Sequence, residues 1–229
     1  MTATCMEPVI REYHRLVEDA HADLTLMDRR AGDGDFGDNL RDGLRRVAER
    51  LDAASQEAPK PREAPKSREA AEEPALAVAA SVFLDEVGGT SGPLFGLMFS
   101  ELARAEQRLS DPVTVWREGI AAGLAAIQRV GEAEPGDRTL VDALVPAIEG
   151  FAAEGTFSGA ARAAADGARA TSSLRARRGR ASYVGDRGVG VPDPGAVAVA
   201  LLLIAAARVL EPGAGMTAAE VTRITAAEG

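Results

Sequence analysis

Apolar residues recur at three- and four-residue intervals through most of the chain, and no convincing two-residue alternation interrupts them, so the pattern predicts helices without strands. Ile10, Tyr13, Leu16, Val17, Ala20, Leu24 and Met27 mark an amphipathic helix over residues 8–27, with Pro8 suited to its first turn. Leu40, Leu44, Val47 and Leu51 mark a second over 38–54, with Asp35 or Asp38 as its N-cap. Further helices are expected over 75–87 and 94–109. Asp111-Pro112 opens one reaching Val130, Asp137 caps one through Ala153, Ser158 starts one through Arg177, and Asp193-Pro194 opens one ending near Leu210. Thr217-Ala218-Ala219-Glu220 has the form of a capping box before a short terminal helix. Eight or nine helices joined mostly by short turns predict an all-α fold, an antiparallel up-and-down bundle.

The periodicity fails in two places. Residues 55–74 hold four prolines and charges of both signs without an apolar repeat, which reads as an exposed linker or disordered loop inserted into one domain spanning 1–229. Residues 179–192 form a long loop containing glycine and arginine.

Composition narrows the chemistry. The net charge of −9 argues against a nucleic-acid or anionic-membrane partner, because those surfaces reward clustered lysine and arginine. The longest apolar run, 196–207, is too short to span a bilayer, and the N-terminal stretch lacks the form of a signal peptide. The single cysteine, Cys5, allows neither an internal disulfide nor a thiolate metal cluster, which fits a reducing cytoplasm. Lys60 and Lys66, the two lysines, both fall in the linker, so any phosphate must be met by arginine, backbone N–H groups or metal. His14 and His21 share the first helix and read as ordinary surface or boundary histidines. Excess apolar helix surface is compatible with a homo-oligomer.

The densest chemistry lies between the first two helices. Residues 28–39 pack four carboxylates and three glycines into twelve positions. Gly32-x-Gly34-x-x-Gly37 matches a dinucleotide-binding pattern in letters, but a helix precedes it where a strand is needed, and Asp33 and Asp35 would face the pyrophosphate. An EF-hand beginning at Asp33 would need an acid at its twelfth position, where Leu44 stands. No glycine loop is followed by Gly-Lys-Ser/Thr. A hard-metal site remains: Asp28 at the end of one helix, with Asp33 and Asp35 on alternate positions of a glycine turn, offers oxygen ligands to Mg²⁺. A solvated, carboxylate-rich cap is the competing reading. Gly88-Gly89-Thr90-Ser91-Gly92 leads into a helix N-terminus suited to a phosphate. In an up-and-down bundle the turns after the first, third, fifth and seventh helices share one end. That places 28–39, 88–92, 131–137 and 179–193 on one face, as a metal–nucleotide site.

The phrases LMDRRAGDGDFGDNL, GGTSGPLFG, GDRTLVDAL and GRASYVGDRGVGVPDPGA, in that order, resemble the motifs of the nucleotide-binding L subunit, or C-terminal domain, of dihydroxyacetone kinases. The resemblance implies an eight-helix barrel binding ATP or ADP at one end through two Mg²⁺ ions held by Asp28, Asp33 and Asp35. It implies phosphate contacts from Phe36, Gly37, Asp38, Asn39, Gly89, Thr90 and Ser91. Gly131, Leu140, Arg180, Pro192, Asp193, Pro194 and Gly195 complete the nucleotide pocket it implies, with Arg180 also assisting catalysis. It further implies a partner K-type subunit that holds a small keto-sugar or polyol. The family usually carries histidine where Phe36 and Val191 stand, and commonly lysine where Arg138 stands. The expected activity is transfer of the ATP γ-phosphoryl to that substrate; an ADP-holding phosphate relay and a non-catalytic nucleotide sensor stay open.

Overall fold

A computed structural model of the chain describes residues 6–57, 73–213 and 224. Eight α-helices and no strand occur among the described residues: α1 (Met6–Ala31), α2 (Phe36–Glu57), α3 (Ala75–Asp85), α4 (Ser91–Arg108), α5 (Pro112–Gly131), α6 (Val141–Glu154), α7 (Phe157–Ala170) and α8 (Pro194–Leu210). Each helix packs on its neighbours in the chain, and α8 returns to pack on α1, which closes the ring. The all-α bundle expected from the periodicity is the architecture observed.

Helix α8 shows what the continuous apolar run was for. Every residue from Pro194 to Ala207 is buried, so the helix is covered on all sides and needs no polar face. Among the described residues no helix is long and apolar enough to cross a membrane. Two aromatic clusters anchor the interior. Phe83, Phe95 and Phe99 pack with ring centroids 5.3–6.4 Å apart, and Phe151, Phe157 and Trp116 meet edge to face at 5.4 and 5.8 Å. Each such buried ring contributes on the order of 2–3 kcal/mol through area alone.

Asp111 and Asp193 cap α5 and α8 as expected, accepting from the Thr114 and Ala196 amides, each with proline at the first helical position. Asp35 immediately precedes α2, and its carbonyl accepts from the Asn39 amide. Three expectations need correction. Helix α2 continues through Glu57, so residues 55–57 are helical; 58–72 lie outside the described residues, as does the capping box at 217–220. Asp137 does not cap α6, which begins at Val141. Arg138 adopts a left-handed backbone (φ 61°) that breaks the helical path, and the Asp142 carboxylate takes the Gly136 and Thr139 amides instead. Helix α7 starts after Thr156, whose hydroxyl accepts from the Gly159 amide, and stops at Ala170 rather than Arg177. There the chain passes through a short 3₁₀ turn, Thr171–Ser173, and doubles back so that the Arg177 amide reaches the Asp137 carbonyl at 3.1 Å.

Candidate functional site

The α1–α2 turn is built around Asp28. Its Oδ2 accepts from the Gly34 and Phe36 amides, both at 3.0 Å, so the chain after the last turn of α1 folds back over that carboxylate. Gly34 takes φ 85°, and a Cβ there would collide with the Arg29 side chain. The turn aims Asp33 and Asp35 at Asp28, and one oxygen from each of the three lies within 4.8 Å of the others. Asp28 is half-buried; Asp33 and Asp35 are exposed. Arg180 is ion-paired to Asp33 through Nη1, which also lies 3.6 Å from an Asp35 oxygen. Three hard oxygens converging in this way fit a divalent cation such as Mg²⁺, and the guanidinium supplies positive charge at the same place.

The carboxylates stand at the edge of a cleft of about 190 Å³ lined by all four turns that the bundle argument brought together. Of the residues singled out from the sequence, Asp28, Asp33, Asp35, Phe36, Gly89, Thr90, Ser91, Gly131, Leu140, Arg180, Asp193, Pro194 and Gly195 line it. Gly37, Asp38, Asn39 and Pro192 do not. Residues 37–39 belong to the first turn of α2, and of the three Asn39 stays at the rim, its Nδ2 3.4 Å from where a Cβ on the lining residue Gly89 would stand. Gly37 is packed under Thr25 and the His21 carbonyl, and Asp38 bonds His21 at 2.8 Å and Arg41 at 2.9 Å. Pro192 is buried beneath the loop. The other histidine, His14, lies 3.4 Å from Glu18 on α1.

Phe36, where the resemblance places histidine, has an apolar role. Its ring meets Phe95 edge to face at 6.4 Å, extending the interior aromatic cluster into the cleft wall, while its amide holds Asp28. Leu94, Ile127 and Val141, near helix ends, and Ala133, in the α5–α6 turn, continue that apolar wall; none has a neighbour distinctive enough to mark it in the sequence. Arg138, Thr139, Gly179 and Ala181 also line the cleft, from phrases that the sequence placed at the site without giving these residues individual roles, and Arg178, just outside them, was missed. The signal for Arg138 was its place within the Gly-Asp-Arg-Thr-Leu phrase, of which only Leu140 had been assigned.

Four helix N-termini reach this end. Those of α2 and α8 are engaged by Asp28 and Asp193, and the Val141 amide at the start of α6 is met by the Thr139 hydroxyl, whereas Thr90, preceding α4, makes no side-chain cap. The cleft thus joins an apolar slot, an uncapped helix start and a carboxylate triad.

Asp193 is the most perturbed acid here. Burial raises its carboxyl to about 6, against the Arg138 charge and the Ala196 amide, which favour the ionised form. An unfolded aspartate titrates near ~4. Between about pH 4 and 6 the native chain therefore holds the extra proton, and this group makes stability fall as pH rises through that window, levelling above it. NMR titration of the Asp193 side-chain carbonyl carbon should give a midpoint near 6; a midpoint at or below about 4 would contradict this.

A family model described as the DAK2 domain matches residues 30–208. The ADP-binding subunit DhaL of the PEP-dependent dihydroxyacetone kinase of Escherichia coli K12 is 36% identical over 193 residues, covering 79% of this chain and 84% of that protein. L-erythrulose 1-kinase of Mycolicibacterium smegmatis is 34% identical over 209 residues, covering 85% of this chain but 34% of the kinase, and human triokinase/FMN cyclase is 34% identical with 32% of its length covered. The chain thus spans about a third of these longer kinases. The dihydroxyacetone kinase of C. freundii superposes with a TM-score of 0.65 over 91% of this chain and 34% of the other, at 24% identity, which bears on the fold. A second structure of that kinase, in complex with AMP-PNP and Mg²⁺, gives a TM-score of 0.62. The matched span contains the turn from Arg30 through Asp35 and three of the four turns that line the cleft in full, and the chain belongs to the DAK2 domain family.

Proposed function

We propose that this chain forms one nucleotide-binding domain of a Mg²⁺-dependent phosphotransferase, passing the ATP γ-phosphoryl to a hydroxyl of dihydroxyacetone or a related keto-sugar or polyol held by a K-type partner subunit. The observation that carries the reading is the placement of Asp28, Asp33 and Asp35, with mutual oxygen distances within 4.8 Å, in the same cleft as the uncapped start of α4. The names of the relatives support it: kinases of small hydroxyketones, an ADP-binding subunit, and a structure holding AMP-PNP and Mg²⁺.

In this reading Asp28, oriented by two backbone amides, is the fixed ligand, and Asp33 and Asp35 are the exposed pair that completes the set. Magnesium held there supplies charge neutralisation for the transferred phosphoryl and its bridging oxygens, and two ions would suit the three acids and a polyphosphate. The amides of Ser91 and Gly92 and the Thr90 and Ser91 hydroxyls hold phosphate oxygens at the α4 dipole. The slot between Phe36, Leu94, Ile127, Leu140 and Pro194 takes the base and excludes water from it. Arg180, paired with Asp33 and near Asp35, stands where its guanidinium would meet phosphate oxygens beside a metal held by those carboxylates, a bidentate role that suits it.

A second reading has a specific support. The relative matched over 84% of its length is named as an ADP-binding subunit of a PEP-dependent kinase, which favours ADP retained as a phosphate relay. Phosphate transfer to dihydroxyacetone, measured with a K-type subunit and either Mg–ATP or a phosphohistidine protein as donor, decides between them. Transfer from ATP supports the kinase reading, and transfer only from the phosphoprotein supports the relay. Tight nucleotide binding with transfer from neither donor would leave a sensor and contradict both.

A further inference from the structure

Arg138 is a buried cation with an unusual backbone. It is 1% exposed, its φ is 61°, and burial lowers its tendency to hold a proton while Asp193 favours it. A non-glycine residue in the left-handed region is held there by its surroundings. Here the conformation sends Arg138 inward, while its neighbour Asp137 reaches the chain beyond α7.

The two neighbours grip opposite ends of one segment. The Asp137 carbonyl accepts from the Arg177 amide at 3.1 Å, and its carboxylate lies 3.5 Å from Arg178 Nε. Arg138 Nη2 donates to the Gly188 carbonyl at 2.8 Å and the Val191 carbonyl at 3.0 Å. Between these anchors lies the 3₁₀ segment Arg180–Gly188, kinked at Gly185, which carries Arg180 to Asp33 and Asp35. Gly188 lets the guanidinium lie flat against the chain: a Cβ there would stand 2.9 Å from Arg138 Nη1. Arg138 Nε and Nη1 are buried without hydrogen-bond partners, so the group is held in place at the expense of two unmet donors.

We infer that Asp137 and Arg138 act as a clasp on the 177–191 segment, and that Arg138 is a positioning residue which sets Arg180 and Asp193 around the nucleotide cleft. This deepens the proposed nucleotide-binding role and rests on it only for its effect on affinity. The loop between the anchors is mostly exposed and has few apolar contacts of its own, so without the two charge-assisted bonds its position is set by the remaining backbone bonds, such as Gly190 N to Ser172 O at 2.8 Å. Both carbonyls are met by Nη2 alone; a lysine ammonium at 138 has donors enough for both but ends about one bond short of that nitrogen, so it holds the two carbonyls less closely.

The test is hydrogen–deuterium exchange on the ligand-free full chain, read over 180–191 and over α8, in wild type, Arg138→Met, Arg138→Lys and Gly188→Ala. Mg–ADP affinity is measured alongside, well below the melting temperature. Arg138→Met should raise exchange in 180–191 by about tenfold while α8 stays protected, and weaken Mg–ADP by about tenfold, with Arg138→Lys intermediate in both. Gly188→Ala, which crowds the guanidinium without removing it, should move exchange in the same direction and serves if Arg138→Met does not fold. Unchanged exchange over 180–191 in the folded variants would overturn the clasp, as would exchange rising equally in α8, which is the mark of a merely structural role. Loop exchange that rises while even wild type binds no Mg–ADP would uphold the clasp and contradict the nucleotide reading.

Discussion

Replacing Asp33 and Asp35 together with asparagine is expected to weaken Mg²⁺-dependent ADP binding by ~100-fold or more, because it removes two of three anionic ligands from a hard-cation site. Asparagine keeps the size and one carbonyl oxygen of each side chain, so the loss reports charge rather than shape. Folding is a separate matter. Both carboxylates are exposed, at 45% and 51%, and their pairing with Arg180 is solvent-screened. The unliganded variant should therefore unfold within about 0.5 kcal/mol of wild type. Isothermal calorimetry with Mg–ADP and a denaturant titration without ligand read the two effects independently. Equal affinity in the variant and wild type would remove the metal triad from the site.

Gly167→Val is expected to cost about 3 kcal/mol of stability. The reason lies in how closely α6 and α7 approach. Pro146, inside α6, has no amide to give the Asp142 carbonyl, and Gly167 crosses directly over that carbonyl, so that any Cβ would overlap it and lie 2.9 Å from Pro146 Cγ. Gly150 faces α7 in the same manner, with room for a Cβ denied by the Gly159 carbonyl at 2.8 Å and the Ala160 Cα at 2.9 Å. Valine at Gly167 must push the helices apart. Ala152→Val, on the exposed side of α6, should cost only about 0.5 kcal/mol through helix propensity. Urea midpoints for the two variants test the contrast, and similar values would show that the crossing is not tight.

The cleft was legible because helix periodicity fixes loop order, and loop order in an up-and-down bundle fixes which turns share an end. Asp28, Asp33 and Asp35 could be read from local chemistry, since glycines at 32 and 34 permit the tight turn that the acids require. Of the two N-caps the sequence offered for α2, Asp35 is the one that precedes it, and the helix then turns Gly37 and Asp38 toward α1 while Asn39 stays beside Gly89 at the rim. Arg138 was illegible for a different reason. Local propensity gives arginine neither burial nor a left-handed backbone, and both are imposed here by the loop it clasps. Helix α7 ends early for the same tertiary cause, because its alanine-rich period continues while the chain must turn back toward Asp137. Phe36 needed the three-dimensional neighbour Phe95 before its side chain made sense as part of the wall.

The central claim is that the carboxylate triad and the nucleotide share one site through a divalent cation. Electron paramagnetic resonance of Mn²⁺, used in place of Mg²⁺, tests it most directly in a titration of the full chain with and without ADP. Mn²⁺ binding should tighten by tenfold or more when ADP is present, by the reciprocity of linked sites, and the coupling should vanish in the Asp33→Asn, Asp35→Asn chain. Mn²⁺ affinity that is indifferent to ADP, or coupling that survives in that variant, would contradict the claim.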